Sequence, residues 1–242
     1  AMEPSFVTAD GVDLPFRMPI SSRAQLEELP TTLLENLAES ELSPLEQYAA
    51  PLVLAGRDLA LVGAAPHGSE QVTPLVIGLV GALALDKRPR PPVQTEATKK
   101  KSCRPRALII APTRELATFA SEAVRTAARG MPLRCARACG GVPIDASAAE
   151  CTADVELLVA TPGRLLDLLD RGAASLNAVR FLAILGADAI FDLGFEAHLR
   201  RIILDEELPP TLERQTLLSC AAMSEPLRRV TSHLFRARGM AR

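Results

Sequence analysis

The sequence predicts a single α/β domain built as a doubly wound, mostly parallel β-sheet flanked by helices. Short apolar runs alternate along the chain with segments whose apolar residues recur at helical spacing, which is the pattern of repeated βα units. Hydrophobic residues make up 48% of the chain and aromatic residues only 3%, which is typical of strands buried on both faces. A length of 242 residues fills one large domain but not two domains with linkers.

The chain ahead of the first core strand is predicted to contain an arm and two helices. Residues 1–22 are polar, interrupted by prolines and without a period, so we expect an extended N-terminal arm, with the domain formed by residues 23–242. Leucines on one side predict an amphipathic helix over residues 25–40. Ser43 and Pro44 are an N-cap and a first-turn proline, and they begin a second helix that ends near Gly56.

Strands and helices then alternate. The predicted strands are residues 58–63, 106–111, 133–139, 155–160, 181–185 and 216–221. The predicted helices are residues 72–84, 114–128, 146–150, 162–169, 195–203 and 225–235. Ligands of such sheets bind at the carboxyl ends of the strands, so functional residues are expected in the segments that follow the strands.

One segment interrupts this alternation. Residues 87–106 are rich in proline and in basic residues, with Glu96 as the only acid, and they predict a basic, flexible surface loop inserted between a helix and a strand. Such a charge run is either simply solvated or a clamp on a phosphate backbone or an acidic partner, and the sequence leaves both open.

Charge, hydropathy and cysteine content narrow the class of protein. The net charge of −2 excludes a uniformly basic nucleic-acid binder but allows a local basic patch. No apolar run is long enough to span a membrane without a charge or a proline, and the N-terminus lacks a secretory pattern. We therefore expect no membrane partner and an intracellular location, in the cytoplasm or nucleus, with an organelle left open. The five cysteines form no CxxC pair, which predicts free thiols rather than disulfides or a metal site.

Residues 56–73 have the layout of a phosphate-binding loop, in which an apolar strand leads through a small-residue turn into a helix. Such a loop binds phosphates with backbone N–H groups, a Lys beside the second Gly, and a Ser or Thr hydroxyl on the metal ion. Here Gly68 is followed by Ser69 and Glu70, so the ammonium is missing and a carboxylate replaces the hydroxyl. Pro66 removes one backbone donor from the turn.

Further motifs follow in a fixed order along the chain. They are Pro112-Thr113-Arg114-Glu115-Leu116-Ala117, Gly140-Gly141, Thr161-Pro162-Gly163-Arg164-Leu165 and Asp192-Leu193-Gly194-Phe195-Glu196. They resemble the PTRELA, GG, TPGRL and DxGFE motifs of the first RecA-like domain of a DEAD-box RNA helicase, in the Vasa/Belle-like group. Pro44 and Gln47, ahead of Gly56, resemble the adenine-reading Q motif of that family. The similarity covers about residues 20–238 and implies a RecA-like fold.

The resemblance implies an RNA-binding function for the first three motifs. In the family these motifs lie at strand ends and helix starts that hold the backbone of single-stranded RNA, where small residues permit close approach and Arg supplies charge. The residues carried over are Pro112, Thr113, Arg114, Gly140, Gly141, Thr161, Pro162, Gly163 and Arg164. The same residues can persist as ordinary helix caps and helix-start charges, and the sequence leaves that alternative open.

The positions that depart from the family pattern lie on its ATP side. The tetrad that reads DEAD in the family is Leu185-Gly186-Ala187-Asp188 here, and its SAT motif is Cys220-Ala221-Ala222. The family's first Asp holds magnesium and its Glu polarises the attacking water, which Leu185 and Gly186 cannot do. Ser69 and Glu70 in the phosphate loop complete this degenerate set, so that Gln47 and Gly68 are expected to be vestigial nucleotide-binding residues.

These substitutions predict that ATP and magnesium binding is lost or very weak, with no cofactor and no metal. Replacing a Lys by a carboxylate near a triphosphate turns an attraction of about 1–4 kcal/mol at roughly 4 Å into a repulsion of similar size. A swing of several kcal/mol lowers affinity by a few powers of ten.

Three functions fit this pattern. The first is a catalytically inactive pseudo-helicase lobe that serves as an RNA-binding or protein-docking scaffold in a ribonucleoprotein assembly, with single-stranded RNA and protein partners. The second is a residual ATP-dependent RNA helicase or ATPase that uses substitute residues and a second RecA-like lobe. The third is a module for protein interaction alone, which the apolar replacements Leu185, Ala187 and Ala222 would favour if they formed a contiguous exposed patch.

Overall fold

The structure is a computed structural model that describes residue 26 and residues 29–37, 43–63, 69–89, 102–204 and 206–235. Within these residues the elements are, in chain order, α1 (Thr31–Asn36), α2 (Pro44–Leu54), β1 (Leu59–Val62), α3 (Ser69–Leu85), β2 (Ala107–Ile110), α4 (Arg114–Ala127), β3 (Arg134–Ala138), α5 (Ile144–Glu150), β4 (Val155–Ala160), α6 (Pro162–Asp170), β5 (Phe181–Ile184), α7 (Ala187–Asp192), α8 (Glu196–Leu204), β6 (Gln215–Cys220) and α9 (Glu225–Thr231).

The six strands form one parallel sheet in the order β1-β6-β5-β2-β4-β3. Strand β2 lies near the middle and pairs with β4 on one side and with β5 on the other. Because parallel neighbours need a crossover, each strand is followed by at least one helix before the next strand begins. The predicted fold class, a RecA-like α/β sheet flanked by helices, is confirmed, and each predicted strand is present to within one residue at each end.

The sheet separates two apolar layers. Alternate residues of β2 point to opposite faces, so Ala107 and Ile109 pack with helices α1 to α4, whereas Leu108 and Ile110 pack with helices α6 to α9. All four residues of β2 are fully buried. This agrees with its continuous apolar sequence, which is typical of a strand covered on both faces.

Helix α3 begins three residues earlier and α9 ends four residues earlier than predicted, and helices α1 and α7 differ most from the sequence prediction. Helix α1 begins at Thr31 rather than residue 25, because Pro30 has an extended ψ of 134° and a proline disfavours a helical conformation in the residue before it. Leu26 and Leu29 are buried all the same, and residues 38–40 lie outside the described part of the chain. Helix α7 was not predicted, because six residues are too few to show a helical period.

The C-terminal end of the predicted insert loop belongs to the folded body. Ser102, Cys103 and Arg104 are buried, and Cys103 pairs with the segment after α6 through a bond from its N–H to the carbonyl of Ala173 at 2.9 Å. The basic run therefore does not stay solvated as far as residue 106. Residues 90–101 lie outside the described residues.

None of the five cysteines forms a disulfide, as predicted, and four of them are buried while Cys135 is half-buried. In the part of the chain that the structure describes, no helix is both long enough and apolar enough to cross a membrane.

Candidate functional site

The carboxyl edge of the sheet brings the predicted site residues together in two groups. The segments after β2, β4 and β3 carry the RNA-side motifs, and these three strands are neighbours in the sheet. The segments after β1, β6 and β5 carry the ATP-side positions, and these strands are neighbours as well. The boundary between the two groups runs between β5 and β2, so one sheet edge presents two distinct chemical surfaces.

The corner between β2 and α4 exposes a cation at a helix start. Pro112 is buried behind the strand, and the hydroxyl oxygen of Thr113 accepts a hydrogen bond from the N–H of Leu116 at 3.2 Å, which caps α4. Arg114, the first residue of the helix, is exposed. Its neighbour Glu115 is fully exposed, and hydrogen bonds from its own N–H and from Thr113 hold the pKa of its carboxyl below the usual value.

The guanidinium of Arg114 lies against the glycine pair that follows β3. Gly141 has φ +86°, and a Cβ added there would overlap the guanidinium. The left-handed backbone favours glycine at position 141, and a larger residue there would also move the guanidinium of Arg114 from its place. Gly140 has open space around its Cα.

Arg164, in the first turn of α6, has a different role from Arg114. Its side chain is only 10% exposed, and it donates to the hydroxyl of Ser147 and to the carbonyl of Val142, each at 2.8 Å. Asp167 lies 3.5 Å from its Nε. These contacts tie the start of α6 to the loop between β3 and α5, so the guanidinium that the sequence assigns to RNA is engaged by the protein in this structure.

The start of α6 shows the remaining RNA-side residues. Thr161 is half-buried and is the N-cap residue, without a side-chain capping bond, and Pro162 is the first helical residue. A Cβ on Gly163 would meet no atom within 4 Å, so this position is open to an approaching ligand. The N–H of Thr161 donates to the carbonyl of Ala138 at 3.1 Å, which holds α6 beside the end of β3.

Cationic side chains surround this half of the edge. Burial raises the pKa of the Cys139 thiol, against the opposing influence of the guanidinium groups of Arg137, Arg114 and Arg164. Cys139 is 8% exposed and therefore sits as a neutral thiol beneath three positive charges. The RNA-side residues thus border a locally basic surface, although the whole chain carries a net charge of −2.

The tetrad after β5 is packed into the protein. Leu185 and Ala187 are fully buried and only Ala222 is exposed, so the three do not form the contiguous exposed patch that the third hypothesis requires. Gly186 has a left-handed φ of +55°, and its N–H donates to the hydroxyl of Ser219 at 3.1 Å. The backbone conformation at position 186 is strained for any residue with a side chain.

Asp188 links this tetrad to the segment after β6. Its Oδ2 accepts hydrogen bonds from the N–H groups of Ala221 at 2.9 Å and Ala222 at 3.3 Å. Burial, and then the nearby Asp188 carboxylate, raises the pKa of the Cys220 thiol to about 11, so Cys220 is neutral at physiological pH. The two family motifs are therefore joined through backbone amides without the hydroxyls of the SAT motif.

The phosphate loop is described only at its two ends. Gly68 and the rest of residues 64–68 lie outside the described residues, and α3 begins at Ser69. Glu70 is exposed in the first turn of α3, and Gln71 donates from its side chain to the carbonyl of Gly63. Gln47 is half-buried on α2. Within the described residues no three His, Cys, Asp or Glu side chains are grouped to hold a metal ion.

Comparison with known proteins places the chain in a family. A profile described as "DEAD/DEAH box helicase" matches residues 75–230. The chain belongs to the DEAD/DEAH box helicase family, as the motifs of its sheet edge indicated. It is 34% identical over 235 residues to DEAD-box ATP-dependent RNA helicase 52A of Oryza sativa subsp. japonica, covering 93% of this chain and 37% of that protein. It is 32% identical over 218 residues to probable ATP-dependent RNA helicase ddx3 of Dictyostelium discoideum, covering 88% of this chain and 30% of that protein. The chain thus spans about a third of the length of these relatives.

Family membership corrects the cofactor prediction. The prediction that ATP and magnesium binding is lost is wrong, because this chain belongs to the family and both relatives are named as ATP-dependent. The prediction that ATP binding is lost considered only the side chains of the phosphate loop and of the other ATP-side positions. A phosphate site also draws on backbone N–H groups and a helix N-terminus, which substitutions at Ser69 and Glu70 do not remove.

Two contacts at this edge could not be found from the motifs. Ser219 occupies a position before the SAT-like triplet that no motif marks, and its hydroxyl holds the backbone of Gly186. Ser147 lies on α5, outside every family motif, and accepts from Arg164. Neither has a local sequence signal, because each contact joins residues far apart in the chain.

Proposed function

We propose that this chain is the first RecA-like lobe of a DEAD-box protein that binds single-stranded RNA along the segments after β2, β4 and β3. The proposal includes a division into an arm (1–22) and a lobe (23–242) carrying the basic insert (87–106). It assigns Arg114, Gly140, Gly141, Thr161 and Gly163 to the RNA-facing surface.

The observation that supports this function is the exposed guanidinium of Arg114, which lies against Gly141. Arg114 follows β2 and Gly141 follows β3, and both lie at the carboxyl ends of the adjacent strands β2, β4 and β3. Such an arrangement presents a positive charge, a helix start and side-chain-free backbone on one surface, which suits a sugar-phosphate chain. Arg164 then contributes indirectly, because its bonds to Ser147 and to the Val142 carbonyl fix the loop that carries Gly141.

We further propose that this lobe does not hydrolyse ATP and acts as an RNA-binding or protein-docking scaffold in a ribonucleoprotein assembly. Position 185 carries a buried Leu and position 186 a left-handed Gly, so neither supplies a carboxylate to a metal ion or to an attacking water. Asp188 is directed to the amides of Ala221 and Ala222. The protein partners and the intracellular location expected from the sequence stay predictions.

A second candidate function is an active ATP-dependent RNA helicase. It is favoured by the relatives, both of which carry that activity in their names. An ATPase assay distinguishes the two candidates. It measures the phosphate that the full-length protein releases from Mg-ATP, with and without single-stranded RNA. Release at the level of buffer alone supports the scaffold. Release that rises with RNA establishes the helicase candidate instead.

RNA binding is tested by fluorescence anisotropy with a fluorescein-labelled decamer of uridines. We expect Arg114→Ala to weaken binding about tenfold, because one charge-assisted contact to a phosphate contributes on the order of 1.5–3 kcal/mol. Arg125→Ala is the matched control, since Arg125 is also exposed but lies in the last turn of the same helix.

The outcome for these two variants decides the RNA assignment. Unchanged binding by Arg125→Ala together with the loss in Arg114→Ala supports it. Equal losses of RNA affinity in both variants would mean that positive charge attracts RNA non-specifically. No RNA binding by the folded wild-type protein would refute the RNA-binding function.

A further inference from the structure

Two buried cysteines lie beside each other at the amino ends of the strands, at the edge of the sheet opposite the RNA and nucleotide segments. Cys103 and Cys151 each stand four residues ahead of a strand, β2 and β4 respectively. These strands are parallel neighbours, with Ala107 paired with Leu157. Because parallel strands run in the same direction, the segments that lead into them lie side by side. The sheet therefore brings together two cysteines that are far apart in the chain.

Backbone hydrogen bonds fix the two segments that carry these cysteines. The N–H of Cys103 donates to the carbonyl of Ala173 at 2.9 Å, and the carbonyl of Cys103 accepts from the N–H of Ser175 at 2.9 Å. The N–H of Cys151, just after α5, donates to the carbonyl of Ser147 at 3.2 Å. Both main chains are held in place, so the position of one thiol relative to the other is set by the fold.

The two thiols contact each other inside the apolar layer under α6 to α9. Cys103 is 0% exposed and Cys151 is 2% exposed, and both belong to the same cluster of buried side chains. A hydrogen bond from the Cys103 side chain holds the pKa of the Cys151 thiol below its usual value, and it outweighs burial and the nearby carboxylate of Glu150. Close approach of the two side chains is the first requirement for a disulfide.

The other three cysteines have the opposite tendency. Burial is the largest influence on Cys139 and Cys220 and raises the pKa of both thiols. Burial also raises the pKa of Cys135 to about 12, although Cys135 is half-buried and the other four cysteines are buried. The thiolate is the form that reacts with oxidants, so reactivity set by pKa favours Cys151, whereas reactivity set by exposure favours Cys135.

We propose that Cys103 and Cys151 form a reversible oxidation site, at which a hydroperoxide converts the two thiols into a disulfide that stabilises the fold. The hydrogen-bond contact between the side chains places the second thiol where it can trap the oxidised first one. In reducing compartments such disulfides are usually transient and redox-sensing. The inference does not depend on the proposed function, because it concerns the amino edge of the sheet and not the RNA-facing edge.

The reaction balances with hydrogen peroxide as the oxidant. The Cys151 thiolate attacks one peroxide oxygen, so that an S–O bond forms, the O–O bond breaks, and the released hydroxide takes up the proton that Cys151 had lost. The Cys103 sulfur then attacks the sulfur of this sulfenic acid. The S–S bond forms, and the hydroxyl leaves with the Cys103 proton as a second water. The two thiols lose two electrons, which reduce the peroxide, and a dithiol reductant reverses the step by thiol–disulfide exchange.

Oxidation is tested on the full chain, starting from the reduced protein. After treatment with hydrogen peroxide, the remaining thiols are blocked with N-ethylmaleimide. The protein is then cut with trypsin and a glutamate-specific protease, since cleavage after Glu150 separates Cys151 from Cys139. Mass spectrometry without reduction is expected to show a cross-link between Cys103 and Cys151 that dithiothreitol removes, and a loss of both thiols at least threefold faster than that of Cys135. Absence of the cross-link at a peroxide dose that oxidises Cys135, or faster loss of Cys135, would overturn the proposal.

Variants distinguish the pair from a single reactive thiol. Cys103→Ala removes the hydrogen bond that favours the Cys151 thiolate, so oxidation of Cys151 is expected to be at least threefold slower. Cys135→Ala is the matched control, because it removes a more accessible thiol outside the pair, and it is expected to leave the rate and the cross-link unchanged. Far-ultraviolet circular dichroism checks that each variant is folded. An unchanged oxidation rate of Cys151 in folded Cys103→Ala would refute the pairing.

The disulfide also has an effect on stability that can be measured. It would close the stretch of chain that contains β2, α4, β3 and α5 into a covalent loop, which restricts the unfolded chain. The oxidised wild-type protein is therefore expected to unfold at a higher urea concentration than the reduced protein, and dithiothreitol is expected to restore the lower midpoint. An equal or lower midpoint for the oxidised protein would contradict a stabilising disulfide.

Discussion

At the scale of single residues, two arginines that the motifs mark alike differ in what they touch. Arg114 is exposed and rests against Gly141, whereas Arg164 is 10% exposed and bonded to Ser147 and Val142. A motif identifies a residue type at a position, but the available volume around the side chain decides whether the charge reaches solvent. We therefore expect substitutions at Arg114 to act on RNA directly and substitutions at Arg164 to act through the loop after β3.

Gly141→Ala tests the contact between Arg114 and the glycine pair. A Cβ at Gly141 would displace the guanidinium, and its φ of +86° adds backbone strain. We expect a loss of about 1 kcal/mol in the free energy of unfolding from the strain, together with weaker binding of the uridine decamer.

Gly172→Ala is the control for this prediction. Gly172 also has a positive φ, of +65°, but a Cβ there would meet nothing within 4 Å. Urea denaturation should therefore show a similar loss of stability, while RNA affinity stays at the wild-type value. An RNA affinity unaffected by Gly141→Ala would mean that the position of Arg114 does not matter for binding.

At the scale of elements, the helix that leads into the first strand is held by a complete capping box. The hydroxyl of Ser43 accepts from the N–H of Glu46 at 3.2 Å, and the Glu46 carboxylate accepts from the N–H of Ser43 at 2.7 Å. Helix α2 packs on α3 and carries Gln47, so the capping box fixes the start of the helix that holds this residue.

Ser43→Ala is predicted to lower the free energy of unfolding by about 1 kcal/mol, because it leaves a helix-start N–H without its acceptor. Ser224→Ala is the matched control, since Ser224 is the N-cap residue of α9 but makes no side-chain capping bond. We expect a change there of only a few tenths of a kcal/mol. Equal midpoints in urea for the two variants would show that the capping box does not stabilise the fold.

At the scale of the whole molecule, both apolar layers share one sheet. The layer under α1 to α4 and the layer under α6 to α9 use alternate residues of the same strands, so neither layer keeps its packing when the strands separate. We expect the described body to unfold as one cooperative unit.

Two cysteines in the apolar layers on opposite faces of the sheet allow cooperative unfolding to be tested. Cys139 packs in the first layer and Cys103 in the second, and neither forms a disulfide. Pulse labelling with a thiol reagent across a urea titration, read by mass spectrometry of the two peptides, is expected to give the same midpoint for both. Midpoints that differ beyond experimental error would show two independently stable units instead of one domain.

Much of the fold could be predicted because its signals are local. The apolar runs at 107–110 and 155–160 and the caps at Ser43 and Thr113 are each contained within a few residues. The short helix α7 and the true start of α1 were missed, because six residues give no period and Pro30 overrides the leucine spacing. The buried stretch from Ser102 to Arg104 was missed since its partners, such as Asn177, lie about 70 residues away.

The sequence by itself determined the order of strands and helices, the family, and the segments that carry chemistry, because periodicity, turn residues and motifs are written in neighbouring positions. Only the tertiary structure decided which arginine faces solvent and that Asp188 holds the amides of Ala221 and Ala222. Those features arise from the parallel sheet order β1-β6-β5-β2-β4-β3, which brings residues distant in the chain into contact.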